Sequence, residues 1–184
     1  TLSGEGKTST VGWLAQTAAH AGASVCVIDA DMCKPGLHRF FRLNTDRGLV
    51  DYLGNHAELD DIIQHSTTTG VDVITSRSAP YALGDPRNSK RIETLFAALR
   101  TRYDFVIADT PALLAAPDAA FVTLHADHIA HLVAWEETGS KILESGLKML
   151  SNTPAERISI ILSKVDITKQ VRQGYSDIMY YYPA

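Results

Sequence analysis

Ser3-Gly4-Glu5-Gly6-Lys7-Thr8 leads straight into a stretch, Lys7 to His20, whose spacing predicts a helix. Glycines ahead of a helix let backbone N–H groups approach an anion without a Cβ in the way. A lysine at the helix start reaches outer phosphates, and a Ser or Thr hydroxyl beside it suits a hard cation, all in the field of a helix N-terminus. Gly6, Lys7 and Thr8 fit those parts, so the segment reads as a phosphate-binding loop. The strict pattern has a glycine five residues before Gly6, where this chain has Thr1, and the strand that should precede such a loop is not among the 184 residues. The chain is therefore expected to be an N-terminally incomplete piece of a longer protein. Because that strand lies centrally in the sheet of such folds, the 184 residues are expected to be unstable as they stand.

Two further segments extend the pattern. Val25-Cys26-Val27-Ile28-Asp29-Ala30-Asp31 reads as a buried strand ending in paired carboxylates, at the end of a strand where open α/β sheets bind ligands. Tyr103-Asp104-Phe105-Val106-Ile107-Ala108-Asp109-Thr110-Pro111 reads as a second such strand, closed by an Asp that can serve Mg²⁺ directly or through water. Each could be an ordinary strand end, but the three segments in this order point together to nucleotide phosphate chemistry.

The rest of the chain fits around them. Apolar, β-branched strands are expected at Ser24 to Asp29, Val71 to Thr75, Tyr103 to Asp109, Asp127 to Ala134 and Arg157 to Ser163. Helices are expected at Lys7 to His20, in a short pair between Gly48 and Gln64, and at Ser89 to Arg102, Asp118 to Leu124 and Thr138 to Leu150, with a loop over Ser76 to Asn88. Alternation of this kind predicts an α/β fold, a mostly parallel sheet with helices on both faces. Residues 1–164 make up the expected nucleotide-binding domain, and residues 165–184 a polar, mobile tail. With 17 basic and 21 acidic residues, the formal charge of −4 gives no footprint for nucleic acid. Two cysteines, Cys26 and Cys33, fit a reducing compartment and no disulfide scaffold. No apolar run reads as a transmembrane helix, so the fragment is expected to be soluble.

Four of the seven tyrosines, Tyr175, Tyr180, Tyr181 and Tyr182, fall in the last ten residues. Three contiguous aromatic rings cannot all face one core, so they read either as an aromatic tail docked on a partner or as a phosphoacceptor cluster. His125, His128 and His131 alternate faces across a predicted strand and argue against a metal site. Cys33 reads as a neutral replacement. Trp13 and Trp135 are expected to pack, and Lys90, Arg91, Arg100 and Arg102 to lie on a solvated helix face.

These segments resemble the bacterial tyrosine kinases attached to polysaccharide co-polymerases, over nearly the whole chain. Gly4-Glu5-Gly6-Lys7-Thr8 is similar to that family's Walker A loop. Ile28-Asp29-Ala30-Asp31, with Lys34-Pro35-Gly36-Leu37-His38, is similar to its Walker A′ element, and Val106-Ile107-Ala108-Asp109-Thr110-Pro111 to its Walker B. Gly48-Leu49-Val50-Asp51-Tyr52-Leu53, Ser89-Lys90-Arg91, Lys164-Val165-Asp166 and the terminal tyrosines also sit where the family has similar stretches. The resemblance implies ATP·Mg²⁺-dependent phosphorylation of the tail tyrosines between neighbouring subunits, controlling chain length and export of an exopolysaccharide or capsule. It implies nucleotide binding by Gly4, Glu5, Gly6, Lys7, Thr8 and Ser9, and metal binding by Thr8, Asp29 and Asp109. Catalytic roles fall to Lys7, Asp29 and Asp31, and phosphate acceptance to Tyr175, Tyr180, Tyr181 and Tyr182. The implied partners are further copies of the chain, a membrane-embedded co-polymerase region and a tyrosine phosphatase, and the implied location is the cytoplasmic face of the bacterial inner membrane.

The chain departs from the family pattern at several points. Ser163 stands where an Asn is expected to read the base, and a hydroxyl cannot offer an amide's paired donor and acceptor. Ala112 replaces a second Pro, Met32-Cys33 replace a hydrophobic and a basic residue, and residues 80–86 differ in composition. Two alternatives stay open. One is a partition- or septum-positioning switch ATPase of the MinD and ParA kind, although Leu2 and Ser3 occupy the place of that group's second lysine. The other is a catalytically weak regulatory module of a polysaccharide export complex.

Overall fold

Burial decides where the strands lie. Val25 to Asp29 is apolar on both faces of a pleated strand, and in the computed structural model, which describes residues 2–79 and 82–172, all five of its residues are buried. This strand, β1 (Val25–Asp29), is flanked by β3 (Val71–Ile74) and β4 (Phe105–Asp109), both parallel to it. β2 (Ile63–Ser66) adds antiparallel to β3, giving the order β2-β3-β1-β4.

Helices cover both faces. Val25 and Val27 pack with Ala15 of α1 (Lys7–His20) and with Leu37 and Phe41 of α2 (Leu37–Phe41). Cys26 and Ile28, on the opposite pleat, pack against α3 (Leu49–Leu53), α4 (Leu59–Ile62) and α5 (Ser89–Arg102) through Leu49, Leu53, Ile62, Ile92 and Leu95. A one-residue shift of β1 would exchange these two sets, so the register is fixed by burial.

A second, parallel pair follows: β5 (Ile129–Ala134) and β6 (Ile158–Ser163), connected through α7 (Ser140–Met149). α6 (Pro117–Thr123) lies ahead of β5. Among the described residues β4 has a neighbour on one edge and β5 on one edge, and Phe105 on β4 is 53% exposed. Arg100 ties α5 to the approach to β5, and Arg157 ties the starts of β5 and β6 to each other. Arg100 of α5 donates to the His125 carbonyl and to Asp127 (3.2 Å), while Arg157 donates to the carbonyls of Asp127 (2.8 Å) and Ala126.

Several expectations change. Trp13 is exposed: α1 buries Gly12 and Ala15, and the indole projects off that stripe. Ile63 and Gln64, expected to close the helical stretch, instead open edge strand β2, because each residue of Ile63–Ser66 pairs with a residue of β3. Arg91 is not a plain solvated cation but lies 4.2 Å over the Tyr52 ring. The segment 165–184 begins with α8 (Ile167–Arg172), capped by Asp166, whose side chain accepts from the Lys169 amide at 3.1 Å. Tyr175, Tyr180, Tyr181 and Tyr182 lie outside the described residues, as do Pro80 and Tyr81.

Candidate active site

The loop ahead of α1 takes its shape from two glycines. Gly4 (φ 85°) and Gly6 (φ 87°) are left-handed, and Gly6 caps the helix without a side chain. Ser3, Gly4, Gly6, Lys7, Thr8 and Ser9 line one side of an open cavity of about 250 Å³, and Asp31 and Lys34 line the other. The Lys7 ammonium donates to the Leu2 carbonyl at 2.6 Å. Asp31 holds its own turn by accepting from the amides of Lys34 (2.9 Å) and Cys33 (3.2 Å).

Sheet register brings the other carboxylates together. Asp29 and Asp109 are paired residues at the ends of β1 and β4. Both are buried, and Thr8 Oγ1 donates to Asp109 Oδ2 at 2.5 Å. Asp29 Oδ2 accepts from the amides of Gly36 and Leu37, each at 3.0 Å, which leaves Oδ1 buried with no hydrogen-bond partner. A Cβ on Gly36 would come within 3.2 Å of the Thr8 methyl, which would have to give by a few tenths of an ångström.

Electrostatics sharpen the picture. Burial first, then the charges of Asp109 and Asp31, push Asp29 up to about 7 against the opposing amides of Leu37 and Gly36. Burial, joined by the charge of Asp31, raises Asp109 to about 6 despite the Thr8 hydroxyl and the Lys7 ammonium. An orphaned buried carboxylate oxygen, a second carboxylate and a hydroxyl, all hard oxygen donors, fit a Mg²⁺ ion.

Not every expected residue faces this cavity. Glu5 is the one residue between Ser3 and Ser9 that does not line it. The Ser163 hydroxyl, expected at the place of a base-reading Asn, donates to the Glu5 carbonyl at 2.7 Å and to Val133 O at 3.3 Å. The three histidines go three ways. His125 stacks on Phe96, His128 meets Ser159 at 2.9 Å, and His131 is buried on β5.

Residues 3–129 match the family described as an AAA domain. Over 172 residues, 94% of this chain and 73% of the relative, the sequence is 30% identical to the tyrosine-protein kinase YwqD of Bacillus subtilis. The chain belongs to the bacterial tyrosine kinases of the AAA-domain family. It is also 31% identical, over 87% of its length, to a Klebsiella pneumoniae protein named as a putative tyrosine-protein kinase in the cps region, of which it spans 22%. The kinase domain of the Escherichia coli tyrosine kinase ETK superposes on this tyrosine-kinase domain with a TM-score of 0.75 and 29% identity, covering 89% of this chain and 64% of the other. The septum-site-determining protein MinD of Pyrococcus horikoshii, solved with Mg-ADP, shares the fold alone: TM-score 0.66, 19% identity, 86% of this chain and 63% of that one.

Proposed function

We propose that this domain is an ATP·Mg²⁺-dependent protein-tyrosine kinase that phosphorylates the tyrosines of its own C-terminal cluster in neighbouring copies. We propose further that this reaction regulates polymerisation, chain length and export of an exopolysaccharide or capsule at the cytoplasmic face of the inner membrane. The carrying observation is the meeting of Thr8, Asp29 and Asp109 beside the Lys7 loop, with one Asp29 oxygen buried and unpartnered. The kinase names of the relatives, one of them from a cps region, support the substrate class.

Phosphoryl transfer asks for positioning and charge neutralisation. The amides of Gly4 to Ser9 and the Lys7 ammonium would hold the outer phosphates, with Lys7 leaving the Leu2 carbonyl to do so. Thr8, Asp29 and Asp109 would hold Mg²⁺, directly or through water, and the ion would neutralise charge between the two outer phosphates. The tyrosine oxygen attacks the terminal phosphorus as the bond to the ADP oxygen breaks, and the phenolic proton passes to Asp31. A phenol titrates near about 10, so that proton leaves late, and Asp31 at the cavity wall serves mainly to orient the hydroxyl.

The test is mass spectrometry of the tail after incubation with ATP and Mg²⁺, beside a Lys7→Met variant. Phosphate on Tyr175 or Tyr180 to Tyr182 in the parent and at least about a hundredfold less in the variant is expected. Free phosphate with an unmodified tail would show a switch ATPase instead, and neither product a regulatory module.

A further inference from the structure

Glu5 is 1% exposed, and a carboxylate that deeply buried must be compensated by hydrogen bonds. Its Oε2 accepts from the Leu2 amide at 2.7 Å, and its Oε1 accepts from the Thr138 hydroxyl at 2.8 Å. Its main-chain carbonyl accepts from the Ser163 hydroxyl at 2.7 Å. Both come from the C-terminal side of the second sheet: Thr138 lies in the turn after β5, its amide donating to the carbonyl of Ala134, the last residue of β5, and Ser163 ends β6. One residue of the phosphate loop thus carries bonds from both strand ends of a sheet that supplies none of the candidate metal ligands.

The strand ends are themselves held in a costly shape. Glu136 (φ 58°) and Lys164 (φ 56°) are left-handed without being glycine. Ion pairs brace both turns, Lys164 to Glu137 at 2.7 Å and Lys169 to Glu136 at 3.3 Å. Both left-handed residues lie next to the bonds to Glu5, Glu136 two residues before Thr138 and Lys164 directly after Ser163.

We infer that Glu5 is a positioning residue through which the β5–β6 sheet, by way of Thr138 and Ser163, sets the conformation of the phosphate loop and hence its affinity for a nucleoside diphosphate. This rests on the nucleotide-site reading above and gives the Glu5 side chain, as distinct from its amide, a part that touches no ligand. Thr138→Val keeps the shape and deletes the hydroxyl, Thr138→Ser keeps the hydroxyl, and Ser163→Ala cuts the second link. Calorimetric titration of the intact protein with MgADP is expected to show about tenfold weaker binding for Thr138→Val and for Ser163→Ala. Binding by Thr138→Ser is expected within about twofold of the parent. Hydrogen exchange without nucleotide is expected to show faster amide exchange over residues 3–9 in the first two variants. Unchanged affinity and exchange in Thr138→Val and Ser163→Ala would overturn the inference, as would an equal loss in Thr138→Ser. Should the parent fail to bind MgADP, the nucleotide-site reading falls, and the exchange rates still decide whether the sheet holds the loop.

Discussion

The two sheets of this domain live under different conditions. β1 is buried at all five positions and ends in Asp29, whereas the middle four residues of β6 are all exposed, Leu162 to 53%. The first sheet carries the charges that would meet a cation, and its depth shifts their protonation. The second carries hydroxyls that reach across to the loop. Burial creates chemical leverage on one side, and a few directed hydrogen bonds transmit position from the other.

That contrast can be broken from either side. Ile28→Ala, in the middle of the buried sheet, is expected to cost about 2–5 kcal/mol in denaturant unfolding. The pH dependence of stability should belong to the first sheet as well. The folded-state values of Asp29 and Asp109 lie above those of the unfolded chain, so their contribution is complete below about pH 4 and lost as pH rises through about 6 to 7. Without Mg²⁺ the melting temperature is expected to fall across that window, and Asp29→Asn to flatten the slope. Gly36→Ala pushes a methyl toward Thr8 and is expected to cost about 1 kcal/mol and to weaken MgADP binding severalfold in the same titration. Leu162→Ala, on the exposed strand, is expected to change unfolding by no more than about 0.5 kcal/mol. A large loss there would show that the second sheet is buried as deeply as the first.

Legibility in the sequence follows the same division. Both ends of α1 and of α5 coincide with their expected bounds, since each is a long periodic segment with a clear start. β2 and α2 escaped notice: the four residues Ile63–Ser66 hold strand geometry only by pairing with β3, and Leu37–Phe41 is a single turn and a little more. At the site, Lys7, Thr8, Asp29 and Asp109 are readable because local spacing puts them at strand and helix ends. The bonds from Thr138 and Ser163 to Glu5 span 133 and 158 residues, and no local pattern encodes such a meeting. In the sequence Ser163 stands out only as a departure from an expected Asn, although its hydroxyl bonds the Glu5 carbonyl in the loop.

The Lys7–Leu2 and Thr8–Asp109 hydrogen bonds make this a pocket that answers its own charges. Its ammonium and one of its carboxylates are already satisfied from within, so on the proposed reading a triphosphate and its counter-ion would each displace an internal partner. The pocket thus keeps its lysine and one carboxylate occupied by neighbours a few residues or a strand away.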